Sequence, residues 1–571
     1  MITIAEYLLT RLDQLGVKHM FGVPGELNLP FCDKIEDLKK IAWIGGCNEL
    51  NSAYAADGYA RVKRSLGVCL TIFGVGELSA LNGIAGAVSE EVPMLHIVGV
   101  PSTAQQKEKT LVDHTLGDAR FDPFMAASQQ ITSIWTILTK KDAASKIDRL
   151  LIECISKSRP AYLALPTDLA GVNISSESLQ YPLSRHVSQN DPAAEQFVVN
   201  RITSLFAKAL SQTGSSDVVV LVDLGAIRYD VVQEVKDLLQ VTGFPVYATP
   251  CGKSIISETY DRYGGIYWGS ELSSHEVKQK VEEANLVLLI GPFPGDFNTG
   301  NYNYDIPTEC MIELYPDHTK IQDAVFPGVG MKQLLPKLGA QLQRFHGTAS
   351  QIPVPKFDNV VPQDGSSVIT HDWLWPRVGQ FFKPNDVILA ETGTAQFAIV
   401  DVRLPSGSDL LSQMRWASIG WAVGAALGAC LAIKEGAPRR TVVFVGDGSL
   451  QMTVQELSSL IRTGVKPIIF VLNNGGYTTE RLLHAEGAQR KYPDLANWDY
   501  AGLLKVLGDF DGTASRSYKA RTRKELSDLL DNQEFGEAKF ITLVEIFMDK
   551  MDSPRSLKNW PKPGNQPERP L

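Results

Sequence analysis

Gly446-Asp447-Gly448-Ser449 and Asn473-Asn474-Gly475-Gly476 are the residues whose types and spacing most sharply specify a chemistry in this chain. Each set follows a run of apolar, largely β-branched residues, at 441–445 and 467–472, and a helical pattern at 450–463 fills the interval. Strand, Gly-Asp-Gly, helix, strand, Asn-Asn brings a carboxylate and an amide oxygen to one edge of one sheet. Hard oxygens of that kind suit Mg2+, which shares its octahedron with phosphate oxygens and water. The glycines let backbone N–H groups approach a diphosphate, and the helix after Ser449 offers its positive end. A Walker loop would require GxxxxGK[ST], which the chain lacks. Gly-Asp-Gly alone is an ordinary βα turn. The pair at this spacing is what points to a metal and a diphosphate.

Such loops need a scaffold, and the rest of the chain supplies one. Short apolar runs at 68–73, 94–98 and 161–165, at 218–222, 245–249 and 286–290, and at 387–391, 441–445, 467–472 and 540–546 alternate with helical patterns. Continuous apolar strands between helices predict α/β domains with doubly wound parallel sheets, which bind ligands at the carboxyl ends of their strands. Stretches rich in Pro, Ser and other polar residues at 181–196 and 344–367 divide the chain into three blocks, 1–180, 197–343 and 368–550, with a tail at 551–571. Three domains agree with the length of 571 residues, for which about 150 residues per domain gives three to four. Residues 417–433, with Gly420, Gly424 and Gly428, are too short an apolar stretch for a bilayer span and predict a buried helix lying close to other backbone. At the N-terminus Thr3 and Glu6 predict a helix capping box rather than a targeting segment.

Composition narrows the function classes. With 44% hydrophobic and 21% charged residues, the chain has the balance of a folded globular protein. Its 55 basic and 64 acidic residues, net −9, form no blocks, which argues against a nucleic-acid partner. Seven scattered cysteines without a CxxC read as reduced thiols in a cytoplasmic protein.

At its Gly-Asp-Gly and Asn-Asn motifs the sequence resembles the thiamine diphosphate enzymes. The segments Gly22-Val-Pro-Gly-Glu-Leu-Asn28, Asn48 to Arg61, Phe73 to Gly86, His96 to Ser102, Glu391-Thr-Gly-Thr394, Trp416-Ala-Ser-Ile-Gly420 and Gly475 to Glu480 are similar to the pyruvate decarboxylase family. The resemblance implies a pyrimidine-binding first domain, a central domain without cofactor and a diphosphate-binding last domain. It implies thiamine diphosphate held between the first domain of one subunit and the last domain of another, in a homodimer or homotetramer. Asp447, the Asn474 side chain and the Gly476 carbonyl are then the Mg2+ ligands. Gly446, Gly448, Ser449, Thr392 and Thr394 lie on the diphosphate side. Ile419 is the wedge between the two cofactor rings, and Ala417 offers a carbonyl to the 4′-amino group where the family usually has glycine. Glu49 matches the glutamate that activates the cofactor at N1′, a role suited to a partly buried carboxyl. The implied reaction is non-oxidative decarboxylation of a 2-oxo acid, pyruvate or a larger analogue, to an aldehyde and CO2.

Four positions depart from the family pattern or frame its catalytic acids. Glu26 stands where an aspartate is usual, Asp113-His114 replaces a His-His pair, and Glu480 keeps the late glutamate. If Glu26, Asp113 and Glu480 converge, three carboxyls share one cleft and at least one should hold a proton. That protonated carboxyl could replace the missing histidine as an acid; equally, slow protonation could let the enamine attack an aldehyde acceptor, giving an α-hydroxy ketone by carboligation. A regulatory subunit with relaxed catalysis is a third possibility, opposed by intact Glu49, Asp447, Asn474 and Glu480. In the central block, Asp223-Leu-Gly-Ala-Ile-Arg-Tyr229 holds no cysteine after its first strand, so no thiol-mediated activation is expected and Cys251 reads as a small buried side chain.

Overall fold

The computed structural model describes residues 1–211, 217–484, 486 and 489–561. In the first domain β1 (His19–Gly22), β2 (Ala42–Gly45), β3 (Gly67–Ile72), β4 (Met94–Val100), β5 (Ile134–Ile137) and β6 (Ala161–Pro166) pair in the order β2-β1-β3-β4-β6-β5. Every pairing is parallel. All residues of β3 and β6 are buried, which is why these strands read as unbroken apolar runs: helices cover both faces. The strands β1, β2 and β5, of four residues each, are too short to stand out as such runs.

The middle sheet, β9-β8-β7-β10-β11-β12-β13, comprises β7 (Val218–Val222), β8 (Val246–Ala248), β9 (Tyr263–Ile266), β10 (Leu286–Ile290), β11 (Met311–Leu314), β12 (His318–Ile321) and β13 (Ala324–Pro327). Its last two pairings are antiparallel. The connections at 315–317 and 322–323 are too short for a crossover helix, so the expected parallel sheet ends in an antiparallel edge. The helix Pro192–Leu210 begins inside the stretch expected to be a linker: Asp191 caps it, and Val198, Ile202 and Phe206 enter the middle core.

The third sheet is again wholly parallel, in the order β15-β14-β16-β17-β19-β18. Its strands are β14 (Val387–Ala390), β15 (Asp409–Leu411), β16 (Thr441–Gly446), β17 (Ile468–Asn473), β18 (Ser515–Ala520) and β19 (Ile541–Phe547). The helix expected at 450–463 starts earlier, at Asp447, and is broken into Asp447–Thr453 and Glu456–Arg462. In the tail, Leu557 and Trp560 pack against Trp268, Phe297 and Phe397 of the second and third domains. Residues 562–571 of the expected tail lie outside the described residues.

The first and third domains meet along two helices, α1 (Glu49–Lys63) and α3 (Trp421–Lys434), while α2 (Val75–Ser89) flanks α1. The buried helix expected at 417–433 begins four residues later, at Trp421, and every residue of α3 from Trp421 to Ile433 is buried; Ala417 to Gly420 form the turn that leads into it. A Cβ at Gly428 would lie 1.8 Å from the Ala55 carbonyl oxygen, and one at Gly58 would lie 2.1 Å from that of Ala425. The helices thus touch backbone to backbone. At the same crossing a buried polar cluster forms: Arg61 pairs with Asp57 at 2.7 Å, Trp421 Nε1 donates to Asp57 at 2.7 Å, and the guanidinium lies over the Trp421 ring.

No helix among the described residues is long and apolar enough to cross a membrane. All seven cysteines are free thiols, and burial pushes the Cys251 thiol well above its ordinary value.

Gly428→Ala is expected to force α1 and α3 apart at a cost of about 1–3 kcal/mol or more, as in overpacked cores. Thermal melting should show a lower transition, while Gly436→Ala, with nothing within reach, serves as the unaffected control. Equal melting of the two variants would contradict this account of the crossing.

Candidate active site

One cleft opens at the carboxyl edge of the third sheet. Its walls include Thr392, Gly393 and Thr394 after β14, Ala417 and Ile419 before α3, Gly446 to Ser449 after β16, and Asn474 to Glu480 after β17. Each of these segments leaves a parallel strand or leads into a helix, as expected for a ligand site in such a sheet. The Asp447 carboxylate accepts the Gly448 N–H at 2.8 Å and the Gly476 N–H at 3.0 Å. Burial raises its pKa against these backbone donors, so the cleft holds a carboxylate short of positive charge. Beside it the Asn474 Oδ1 and Thr392 Oγ1 atoms are buried without a partner among the described residues. Buried polar atoms left unpaired are costly and mark a place for an external partner. A carboxylate, an amide oxygen and a hydroxyl aimed at one space form an oxygen donor set that fits a hard divalent cation and the phosphate oxygens it carries. The Gly476 carbonyl accepts the Thr478 N–H at 3.1 Å and keeps a second lone pair.

Two glycines in these turns have no room for a side chain. A Cβ at Gly448 would lie 2.6 Å from the Tyr477 ring, and Gly476, at φ +125°, would place one 2.1 Å from the Pro493 carbonyl oxygen. Arg481, buried on α5 (Thr478–Leu483), clamps the turn by donating to the Gly475 carbonyl at 2.9 Å and to Asp494 at 2.7 Å.

The loop that bears Ala417 and Ile419 is held by the first domain. Arg61 donates to the Ser412 carbonyl at 2.9 Å, and Glu90 accepts the Arg415 and Trp416 N–H groups at 2.6 and 3.1 Å. Tyr54 and Ser418 share a 2.6 Å hydrogen bond, and Trp416 Nε1 donates to Asn82 at 2.9 Å. Ala417 sits at φ +54°, in the left-handed region that favours glycine. An alanine there keeps a conformation that the family's usual glycine adopts freely.

A second constellation lies at the carboxyl edge of the first sheet. Glu26 follows β1, Glu49 opens α1, Gly74 to Gly76 join β3 to α2, and His114 comes from the loop after β4. Gly74, at φ +67°, lies directly under His114: a Cβ there would be 2.3 Å from its carbonyl oxygen. At Gly76 a Cβ would lie 3.2 Å from Glu49 Oε1. His114 Nε2 is 3.8 Å from Glu26 Oε1, and its ring meets the edge of Phe73. The turn itself is held from behind by Glu77, which accepts the Gly74 N–H at 2.9 Å and the Tyr162 hydroxyl at 3.0 Å. Burial pushes the Glu77 carboxyl up to about 7.

Among the described residues the two constellations do not merge within one chain. Glu26 is 62% exposed beside His114, Asp113 is exposed, and Glu480 lines the third-domain cleft. The three-carboxylate cluster expected from the sequence is therefore not formed inside a single chain, because Glu26 and Asp113 hang from one sheet edge and Glu480 from another. The cleft also takes in residues that spacing gave no sign of: Asp296 and Phe297 from the middle domain, Met414 and Arg415, and Trp560 from the tail. Phe397 and Tyr477 reach it, whereas Trp373 and Trp375 pack in the core beneath.

Comparison with known proteins agrees with this architecture. Residues 2–120 match the thiamine pyrophosphate enzyme N-terminal TPP binding domain, 206–336 the central domain and 391–545 the C-terminal TPP binding domain. The chain is 41% identical over 562 residues to a pyruvate decarboxylase of Aspergillus fumigatus, covering 98% of this chain and 96% of the relative. It is 43% identical over 559 residues to one of Hanseniaspora uvarum, and 40% identical over 559 residues to pyruvate decarboxylase isozyme 2 of Saccharomyces cerevisiae, with 97% of each chain covered in both cases.

Gly476→Ala is expected to displace the Asn-Gly-Gly turn and weaken diphosphate binding in the cleft about tenfold or more, as loss of a supporting contact does at metal sites. Equilibrium dialysis with thiamine diphosphate and Mg2+ reads this directly. Unchanged affinity would show that the turn does not shape the site.

Proposed function

This chain belongs to the pyruvate decarboxylase family of thiamine diphosphate enzymes, and from that membership we propose that it carries out Mg2+-dependent decarboxylation of a 2-oxo acid, pyruvate or a larger analogue, to an aldehyde and CO2. The observation that carries the proposal is the oxygen set in one cleft: the Asp447 carboxylate, held by backbone N–H groups alone, and Asn474 Oδ1 and Thr392 Oγ1 without partners among the described residues. Asp447, Asn474 and the Gly476 carbonyl would hold Mg2+. Thr392, Thr394, Ser449 and the backbone of Gly446 and Gly448 would face the diphosphate. When bound, thiamine diphosphate supplies the carbanion and the electron sink that the decarboxylation needs.

The protein's own contribution is to seat, orient and move protons. Ile419 and the Ala417 carbonyl stand where the two rings of the cofactor would meet the wall. Glu480 lines the cleft with no side-chain partner among the described residues and would serve as the proton donor or acceptor there. Phe297, Phe397, Met414 and Trp560 line the same cleft and keep it apolar, which strengthens every charge interaction within it.

Glu49, Glu26 and His114 belong to the other half-site. A homodimer is the smallest assembly that brings them to a cleft, by setting Glu49 of the partner subunit against the cofactor; a homotetramer pairs two such dimers. The exposed Val75 and Leu78 on α2, with Trp416 beside the cleft, support an apolar contact there. Free thiols support a cytoplasmic setting.

Carboligation is the second reading, favoured by Glu26 and Asp113. Where a His-His pair would offer two proton donors, this chain offers His114 beside a carboxylate, so an aldehyde acceptor can compete with the proton and yield an α-hydroxy ketone.

Two measurements check these proposals. Incubation with pyruvate and with branched and aromatic 2-oxo acids should release CO2 and the matching aldehyde, and acyloin formation on adding an aldehyde would mark carboligation. No CO2 from any of them would overturn the proposed activity. Chelating the metal should release the cofactor and abolish turnover, with Mg2+ restoring both in the wild type but not in Asp447→Ala; full activity in the chelated enzyme would remove Mg2+ from the account.

A further inference from the structure

Glu391 follows β14 and is 1% exposed, yet no cationic side chain pairs with it among the described residues. Its Oε1 accepts the Thr392 N–H at 3.0 Å, while Oε2 accepts the Gly420 N–H at 3.1 Å and the Ala422 N–H at 2.9 Å. The first donor belongs to the loop of Thr392 and Thr394, on the side of the cleft meant for the diphosphate. The other two belong to the turn that leaves Ala417 and Ile419 and enters α3. Gly420 makes this turn at φ +91°, and its carbonyl in turn accepts the Thr453 hydroxyl at 2.7 Å, at the end of α4 (Asp447–Thr453). Glu391 itself is not among the residues lining the cleft.

Burying a carboxylate without a countercharge is expensive, and here burial pushes its carboxyl up to about 7. A neutral apolar side chain would be the cheaper way to fill the space. What a carboxylate alone supplies is two acceptor oxygens and no donor, matched to three N–H groups on two separate loops. An amide in its place must turn its NH2 toward one loop or the other and leave that loop's donors unmet.

We propose that Glu391 is a positioning residue that ties the diphosphate-facing loop to the pyrimidine-facing loop, so that both ends of the cofactor find their seats already in register. The proposal rests on the thiamine diphosphate reading of the cleft and adds to it a residue that touches neither cofactor nor substrate. Preorganisation of this kind holds a binding constellation through supporting hydrogen bonds rather than through direct contact.

The test is binding of thiamine diphosphate with Mg2+ to metal-stripped protein, followed by equilibrium dialysis and by near-ultraviolet circular dichroism of the bound cofactor. Glu391→Gln is expected to bind about 10–100-fold more weakly, the usual loss when a supporting partner is removed. The bound cofactor should give an altered dichroic signal, and the KM for the 2-oxo acid at saturating cofactor should stay unchanged. If the Gln variant does not fold, Glu391→Asp, which keeps the charge but is too short to reach both loops, is expected to show the same loss. Lower thermal stability with wild-type cofactor affinity and signal would overturn the proposal and leave Glu391 a structural residue. Failure of the wild type itself to bind thiamine diphosphate would instead overturn the cofactor reading, and the proposal with it.

Discussion

The backbone contact between α1 and α3 is the constraint on which the rest depends. Gly58, Gly424 and Gly428 let the two helices approach closely where a side chain would hold them apart, and a methyl group at Gly428 would overlap the Ala55 carbonyl. Each helix begins at or just after a residue proposed to meet the cofactor: Glu49 opens α1, and Ala417 and Ile419 precede α3. Close packing therefore does more than join two domains. It fixes, within each chain, where Glu49 of one half-site stands relative to the Ala417 and Ile419 loop of the other, so that the two halves are presented to a partner in one set geometry. The buried Arg61, Asp57 and Trp421 group, with the Tyr54–Ser418 and Asn82–Trp416 hydrogen bonds, sets the rotation that two smooth helices would leave free.

The loops of both half-sites are held by acceptors placed behind them. Glu77 grips the turn under His114 from the first domain, and Glu391 grips the two loops of the third. Both carboxyls are buried and shifted upward by desolvation to about 7. Each is costly to folding taken alone and is offset by backbone N–H groups that would otherwise lack partners. Stability is thereby exchanged for loops that do not need to reorganise when a ligand arrives.

Much of this was legible in the residues themselves. Gly446 to Ser449 and Asn473 to Gly476 announced the cleft because a strand-turn-helix unit leaves few ways to place such groups. The glycine spacing in α3 announced a close helix contact, and long buried strands such as β3 and β16 announced parallel sheets. The remainder depended on tertiary placement. Strands of four residues carry too little pattern, and the antiparallel edge of the middle sheet follows from connection lengths rather than from composition. Phe297 and Trp560 reach the cleft only through the packing of three separate segments. Glu26 and Glu480 could be recognised as chemically active, but nothing in their sequence positions says that they hang from different sheet edges. Glu391 reads as one residue in a strand end, and two of its three hydrogen bonds exist only once α3 is docked.

The central claim is that each chain carries two halves of a site that only a second copy can complete. Coexpression of a Glu49→Gln chain with an Asp447→Ala chain tests it most directly. Each variant alone should be inactive, while the mixed dimer joins an intact first domain to an intact third domain across the interface and should recover a substantial fraction of wild-type decarboxylation. No recovery in a preparation shown to contain the mixed dimer would contradict the account, because it would mean that each site is completed within a single chain.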